Sequence, residues 1–327
     1  DLALGQTTGV RLSGEGFRTD GYYVEQDDGS QVWGGNDADT WSTTGRFLSQ
    51  FDRGEADVFA GYSSRQFGAQ DFYAPYNSYE KTRAFFTTAR YSRSISGRVT
   101  LEPRVYFRRH TDEFILLRDD PSTYTNDHVT QKTGAEVRGL VDLGAGYAVS
   151  LSAEGAYEDI DSRGLRGGVW GDALGYHLRR RGSLAGELDS HQGAWRWQAG
   201  GRVDSRTGYD PRLSGSGAVS FAVSPVWTLR ASAGSVYRVP TFTELYYEDP
   251  LNRGDADLQA EKGWTWDAGV QFNRGTWNGQ ATYFARFEDD LIEWARPLGD
   301  PLEPWQAMNV GEGTVRGAEV RAGWSSS

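Results

Sequence analysis

From Arg212 to Val223 the chain alternates with a period of two. Leu213, Gly215, Gly217, Val219, Phe221 and Val223 fall on one face, and Arg212, Ser214, Ser216, Ala218, Ser220 and Ala222 on the other. Successive strand residues point to opposite sides of a sheet, so this run is one long strand with an apolar face and a small, polar face. The pattern restarts after Ser224-Pro225-Val226, with Trp227, Leu229, Ala231, Ala233 and Tyr237 opposite Thr228, Arg230, Ser232 and Gly234. Two such strands joined by a tight turn make a hairpin. The same device recurs and predicts about fourteen strands of roughly 10–13 residues, near 7–17, 41–51, 56–66, 83–94, 98–110, 128–142, 147–157, 176–189, 195–206, 210–223, 227–237, 263–273, 277–287 and 310–323. Strands of this length are about twice the usual size in water-soluble sheets.

Connections alternate too. Those at 52–55, 94–97, 142–146, 190–194, 224–226 and 274–276 are short, whereas 67–82, 111–127, 158–175, 238–262 and 288–309 are long and rich in Asp, Pro and aromatics. The short link at 207–209 stands where a long one is due. This is the pattern of an up-and-down meander with one plain end and one end that carries function. No segment of a dozen residues has a helical period, so the chain reads as all-β. The purest apolar run, Phe114-Ile115-Leu116-Leu117, is far below the roughly 18 residues of a membrane helix. A strand tilted by about 45° crosses hydrocarbon in roughly 9–11 residues, and only a closed barrel satisfies its backbone there. The strand lengths therefore predict an antiparallel up-and-down transmembrane β-barrel. Tyr147 and Tyr157, Trp227 and Tyr237, and Trp277 and Phe287 bracket strands as two interfacial girdles would. Arg and Glu on the long polar faces suit a wet interior and would be costly to bury in a soluble sandwich.

Composition narrows the function. The 327 residues carry a formal charge of -11, which leaves no basic surplus for a phosphate backbone and argues against nucleic acid. With no Cys there is no disulfide framework, iron–sulfur cluster or thiolate zinc site. His110, His128, His177 and His191 are scattered without ligand spacing, and no nucleophile elbow, phosphate-cradling glycine loop or paired-carboxylate site stands out. Neither catalytic residues nor a metal centre is expected. The 42 glycines and the 12 Trp, 17 Tyr and 15 Phe fit turns and girdles. The first residue is Asp1 and the sole Met is Met308, as expected of a processed product or an excised piece.

At Arg238-Val239-Pro240-Thr241-Phe242-Thr243-Glu244-Leu245-Tyr246 the sequence resembles the apical loop motif of TonB-dependent outer-membrane receptors, an Arg-x-Pro-Thr-Phe-x-Glu-Leu-Tyr run at a strand end. Two more pieces follow in the family's order. Asp257-Leu258-Gln259-Ala260-Glu261-Lys262, ahead of Trp264, is similar to the leucine-x-proline-glutamate stretch, with Ala260 where proline is usual. Asn309-Val310-Gly311 with Arg316-Gly317-Ala318-Glu319 is similar to the later Asn…Arg-Gly-x-Glu signature. Phe67-Gly68-Ala69-Gln70-Asp71-Phe72-Tyr73, with Glu80-Lys81-Thr82, resembles the vitamin B12 and siderophore branches.

The resemblance implies residence in the bacterial outer membrane and a barrel of about 22 strands filled by a separate N-terminal plug. It further implies active import of a scarce metal chelate (siderophore, haem or cobalamin), with energy reaching the plug's TonB box from TonB. On that pattern residues 1–327 form one barrel segment incomplete at both ends, about 14 of the 22 strands, with the plug absent. Expected partners are outer-membrane lipid, the chelate and TonB, with a monomer and no catalytic step. The rival readings are a passive porin-like or adhesin-type barrel without TonB coupling, and a soluble carbohydrate-active β-protein.

Tyr73, Tyr76, Trp170, Tyr246, Trp294 and Trp305 are candidates to line an outer ligand vestibule, because loop aromatics enrich at recognition surfaces. Arg238, Pro240, Thr241, Glu244, Leu245, Glu261, Gly317 and Glu319 are read from the family motifs as structural residues. Asp249, Asp255 and Asp257, and Glu288, Asp289 and Asp290, are either a calcium-binding set or plain solvated loop charge. No other cofactor is expected.

Overall fold

A computed structural model describes residues 2–25, 28–70, 76–296 and 303–325. Tyr73 lies outside the described residues. In chain order the first elements are β1 (Leu2–Ala3), β2 (Thr8–Thr19), β3 (Tyr23–Glu25), β4 (Gln31–Trp33), β5 (Ala38–Phe51), β6 (Gly54–Gly68), β7 (Tyr79–Ser96), β8 (Val99–Ile115), β9 (Tyr124–Gly144) and β10 (Tyr147–Arg166). Then come β11 (Val169–Gln192), β12 (Trp195–Arg206), β13 (Tyr209–Ala222), β14 (Trp227–Arg238), α1 (Phe242–Tyr246), β15 (Asn252–Arg253), β16 (Glu261–Arg274), β17 (Trp277–Asp289), β18 (Ile292–Ala295), β19 (Trp305–Asn309) and β20 (Gly313–Trp324).

Fifteen of these strands form one antiparallel up-and-down sheet in the order β1-β2-β5-β6-β7-β8-β9-β10-β11-β12-β13-β14-β16-β17-β20. Apart from the two-residue β1, its members run from 12 to 24 residues, so the fourteen long strands expected from periodicity are all present. β15, β19 and β18 make a three-stranded sheet and β3 and β4 a hairpin, both inside connections. The chain divides into two compact units, one of Asp1–Arg93, Glu102–Glu136 and Gly155–Arg180, the other of Ser94–Leu101, Val137–Glu154 and Arg181–Ser327.

In the second unit the two faces differ sharply. Leu184 pairs with Val203 and Val203 with Leu213, and this row across three strands is 66%, 43% and 71% exposed. A water-soluble protein would bury such a row, whereas a lipid-facing band leaves it uncovered by protein. The other face is ionic: Glu154 accepts from Arg202 at 3.2 Å and pairs with Arg181, and Arg202 also reaches Asp204 at 2.8 Å. Beside the short turns, Trp195 lies opposite Phe221 with rings 4.3 Å apart, Trp227 opposite Phe272 at 4.8 Å, and Trp277 opposite Trp324. Trp264 and Phe287 face each other toward the far end. Trp277 and Phe287 are ten residues apart on one strand, which at about 3.3 Å per residue and a tilt near 40° is roughly 25 Å of height, the thickness of a lipid-facing band.

In the first unit, Leu12 and Phe17 are exposed on β2, while Arg46 is bidentate to Asp57 at 2.9 and 2.7 Å, Arg90 reaches Glu55 at 2.8 Å and Arg104 reaches Glu136 at 2.7 Å.

The structure corrects the loop expectations at one end. Segment 158–175, expected as a long loop, is the upper part of a β10–β11 hairpin closed by Gly167-Gly168, both at positive φ. The 111–127 connection shrinks to 116–123 because β8 continues to Ile115 and β9 starts at Tyr124. Glu158, Asp159, Asp161 and Arg163 put charged residues on both faces of β10 and erase the period that reveals strands lower down. Gly175, at φ 79°, breaks the alternation again within β11.

Candidate functional site

The apical motif begins where β14 ends. Arg238, its last residue, pairs in register with Glu261, the first residue of β16. The Arg238 guanidinium donates to Glu261 Oε1 at 2.6 Å and to Glu244 Oε2 at 3.0 Å. Pro240, wholly buried, turns the chain into Thr241, which caps α1. The Thr241 hydroxyl accepts from the Glu244 amide at 3.2 Å, and the Glu244 carboxylate accepts from the Thr241 amide at 2.7 Å. This is a capping box, and it uses the same carboxylate that Arg238 holds. Burial pushes the Glu244 carboxyl up, but hydrogen bonds from Arg238 and Thr241 outweigh it and hold the group below its ordinary value of 4.5. Leu245 then drops into a small core with Leu258, Ile292 and Ala307, against which Trp294 packs.

Two further groups complete this assembly. Glu261 Oε1 also accepts from the Ile292 amide at 2.9 Å, tying β18 to the motif. Asn309 donates to the Asp290 carbonyl at 2.7 Å and accepts from the Gln259 amide at 2.9 Å. From sequence, Asn309 was named as the start of the Asn…Arg-Gly-x-Glu signature without a role, and α1 was not singled out. The Thr241-x-x-Glu244 spacing is the signal that marks the helix start.

Gly317 and Glu319 lie elsewhere, on β20. Gly317 pairs with Phe284, and a Cβ on it would sit 2.5 Å from the Phe284 ring. Glu319 pairs with Thr282 and, with Arg230, Asp267, Gln280 and Phe284, lines an open polar cavity of about 1110 Å³. Arg230 reaches across Gly269 to Thr282 Oγ1 at 3.0 Å, and Ser232 donates to Asp267. Donors and acceptors of both signs therefore face this cavity.

In the first unit a different keystone gathers three connections. Arg118 donates to Asp37 at 2.6 and 2.8 Å, lies 5.0 Å from the Trp33 ring and 4.1 Å from the Tyr79 ring, and its amide donates to the Asn77 carbonyl at 2.9 Å. The Arg118 hydrogen bonds hold the Asp37 carboxyl below its ordinary value. Sequence reading missed this cluster because Asp37 and Arg118 lie 81 residues apart and its members match no motif.

The vestibule candidates divide between the units. Tyr76 and Trp170 are exposed in the first, Trp170 on strand β11 rather than in a loop. In the second, Tyr246 and Trp305 are exposed, with Tyr246 stacked on Phe242 and the Arg296 guanidinium 4.9 Å from the Trp305 ring. Trp294 contributes to the loop core instead.

Among the acidic loop residues, Asp249 accepts from the Leu251 and Asn252 amides at 2.7 Å each, Asp255 from the Asp257 amide at 2.8 Å, and Asp290 from Lys262 at 3.0 Å. Among the described residues no group of three or more His, Asp or Glu is arranged to hold a metal ion.

A family model described as "TonB dependent receptor-like, beta-barrel" matches residues 8–327. The vitamin B12 transporter BtuB of Photobacterium profundum is 25% identical over 133 residues, which is 40% of this chain and 22% of that protein. Among solved structures, the hemophore receptor HasR of Serratia marcescens, in complex with its hemophore HasA and heme, superposes with a TM-score of 0.80 at 14% identity over 98% of this chain and 57% of its own. The copper transporter OprC gives 0.77 at 17% identity over 98% and 55%, and the siderophore receptor PirA from Pseudomonas aeruginosa 0.73 at 15% over 97% and 57%. At these identities the structural likeness is one of fold, and the chain spans little more than half of each structure.

Proposed function

Because this chain belongs to the TonB-dependent receptor β-barrel family, whose members are transport receptors of the bacterial outer membrane, we propose that it is the barrel segment of an importer for a scarce metal chelate. Siderophore, haem and cobalamin are the cargo classes, and a corrinoid is the first to test, since the curated relative is a vitamin B12 transporter. Energy comes from TonB through a plug, and the barrel itself performs no bond-breaking step. Residues 1–327 act as one domain, a monomer held in outer-membrane lipid.

The observation that carries this reading is the opposition of the two sheet faces. An exposed aliphatic row, Leu184, Val203 and Leu213, backs onto a wall of Arg, Glu, Asp, Ser and Thr side chains. The first suits lipid and the second a wet passage. Tyr76 and Trp170 in the first unit, and Tyr246 and Trp305 in the second, are exposed rings of the kind that takes up the flat apolar parts of a chelate, and Tyr73, outside the described residues, is a candidate on sequence alone. Arg238, Pro240, Thr241, Glu244, Leu245 and Glu261 keep the connection between β14 and β16 in one shape, which limits the entropy lost on capture. Gly317 and Glu319 serve the wall. The acidic connections carry solvated charge, and no calcium is required.

Uptake by a strain lacking the chromosomal gene and complemented with the full-length protein tests the proposal. Saturable uptake of cobalamin, a ferric siderophore or haem that vanishes without TonB is the expected result. Uptake indifferent to TonB, together with size-limited solute leakage in liposome swelling, would overturn it in favour of a passive porin.

A further inference from the structure

In the first unit Val58 lies opposite Ala89, and Ala89 shares its side of β7 with Phe85 and Tyr91; Val58, Phe85 and Tyr91 are all exposed. The same face continues onto β8, because the Phe85 and Phe107 ring centres are 6.1 Å apart and Lys81 Nζ lies 2.9 Å from Glu113 Oε1. Exposed Val105 belongs to it as well. This is the apolar side of the sheet, the side that suits lipid. Between those two cross-strand contacts, Arg83 on β7 and Arg109 and Thr111 on β8 share the face. Both arginines are exposed, and among the described residues neither has a hydrogen-bond or acidic partner.

Aromatic rings mark how high the pair stands. Arg83 lies opposite Ser64 and Ser64 opposite Trp41, whose ring centre is 4.9 Å from that of Tyr62. At the other end of the same strands Arg93 lies opposite Gly54 and Gly54 opposite Phe51, whose ring centre is 6.4 Å from that of Tyr91. Arg83 and Arg93 are ten residues apart on β7, as Trp41 and Phe51 are on β5. At about 3.3 Å per residue and a tilt near 40° that is roughly 25 Å of height, the thickness of a lipid-facing band. Arg83 therefore stands at the headgroup edge beside the long connections, outside the hydrocarbon. The row above it is balanced, with Asp39 opposite Arg18 and Lys81 held by Glu113. Arg83 and Arg109 are left as a local positive surplus on a chain of net charge -11. Two guanidiniums on one face repel each other unless an anion lies between them, and the arginine fork matches a phosphate bidentately.

We infer that Arg83 and Arg109 bind the phosphate of a lipid headgroup in the outer leaflet, with the Phe85 and Phe107 rings against its acyl chains. A lipid is the occupant because the charged pair is continuous with the apolar face: each arginine has one of these rings two residues away on the same side of its strand. The inference rests on lipid covering this face, as the proposed function has it, and is independent of the cargo. Uptake is measured separately, so a failed cargo assignment leaves it standing.

The test titrates the full-length protein in detergent micelles with diphosphoryl lipid A and counts bound lipid by native mass spectrometry. Arg83→Gln combined with Arg109→Gln is expected to weaken binding about tenfold and each single variant about threefold, while Arg93→Gln at the opposite edge leaves it unchanged. Dephosphorylated lipid A is expected to bind the parent protein and the double variant equally and weakly. Equal affinity of parent and double variant for diphosphoryl lipid A overturns the inference. So does equal weakening by Arg93→Gln, which marks a general charge effect, or tight binding of dephosphorylated lipid A, which marks a site for acyl chains alone. Displacement of lipid A by inorganic phosphate at the same concentration identifies a free-phosphate site and also overturns it. If the double variant fails to fold, the two single variants carry the same test.

Discussion

Arg238 faces two carboxylates whose side chains are only 13% and 16% exposed, so Arg238→Ala leaves two half-sequestered negative charges side by side. Arg238 itself is 42% exposed, so water screens part of the loss, which should be about 1–2 kcal/mol and readable as thermal unfolding in micelles. Glu244→Ala removes the cap and one arginine partner together, and reduced surface display with ligand affinity intact in the displayed fraction is expected. Normal display with lost uptake would instead make Glu244 a ligand residue. Because Glu244 sits below 4.5 in the folded chain, its contribution is complete above that pH and disappears as pH falls through the lowered value. Limited proteolysis of the 239–260 connection should therefore accelerate on acidification and not on alkalinisation. At Gly317 the reason is space: Gly317→Ala drives a methyl into the Phe284 ring at a cost of about 1–3 kcal/mol, and pairing it with Phe284→Leu should recover part of the loss.

Strand faces decide tolerance among the elements. Leu184→Arg puts a charge into the aliphatic row and should cost about 2 kcal/mol in refolding into bilayers, whereas Gln198→Arg, lining the polar cavity, should stay within about 0.5 kcal/mol. Equal effects would mean that lipid does not cover the first face. Connections respond to Arg118, since three of them meet there; Arg118→Ala should speed hydrogen exchange through 76–79 and 116–123 while leaving β12–β14 unchanged. At this scale the strands were legible wherever one face is apolar and the other polar, as in β13 and β14. They were illegible above that band, where the upper halves of β10 and β11 read as loop. α1 is too short for a helical period, and its capping pair is the one local trace of it.

For the molecule as a whole, membership of the TonB-dependent receptor family and the two-faced sheet agree on an outer-membrane setting. The motif residues Arg238, Glu244 and Glu261 were legible through the resemblance to the family's motifs, and the structure adds that Arg238 bonds Glu244, six residues on, and pairs in register with Glu261. The fastening of β18 through Ile292 was not, since a backbone amide carries no side-chain signature, and Asn309 was legible as a signature residue but not as a clamp. The vestibule candidates were chosen by residue type alone. Trp294 shows the weakness of that criterion, because its ring packs on Leu245, Leu258, Ile292 and Ala307.

Sequence alone determined the all-β class, the number of long strands, the division of strands such as β13 and β14 into an apolar and a polar face, and the position of the apical motif. Each of these follows from local alternation or from neighbouring residues, which no distant contact can reverse without turning a whole face over. Only the tertiary structure decided that Glu244 caps a helix and binds Arg238 at once, and that Arg118 gathers connections far apart in the chain. Those features depend on which strands end where and on which distant groups then meet, quantities that hydrogen-bond register sets and residue order does not display.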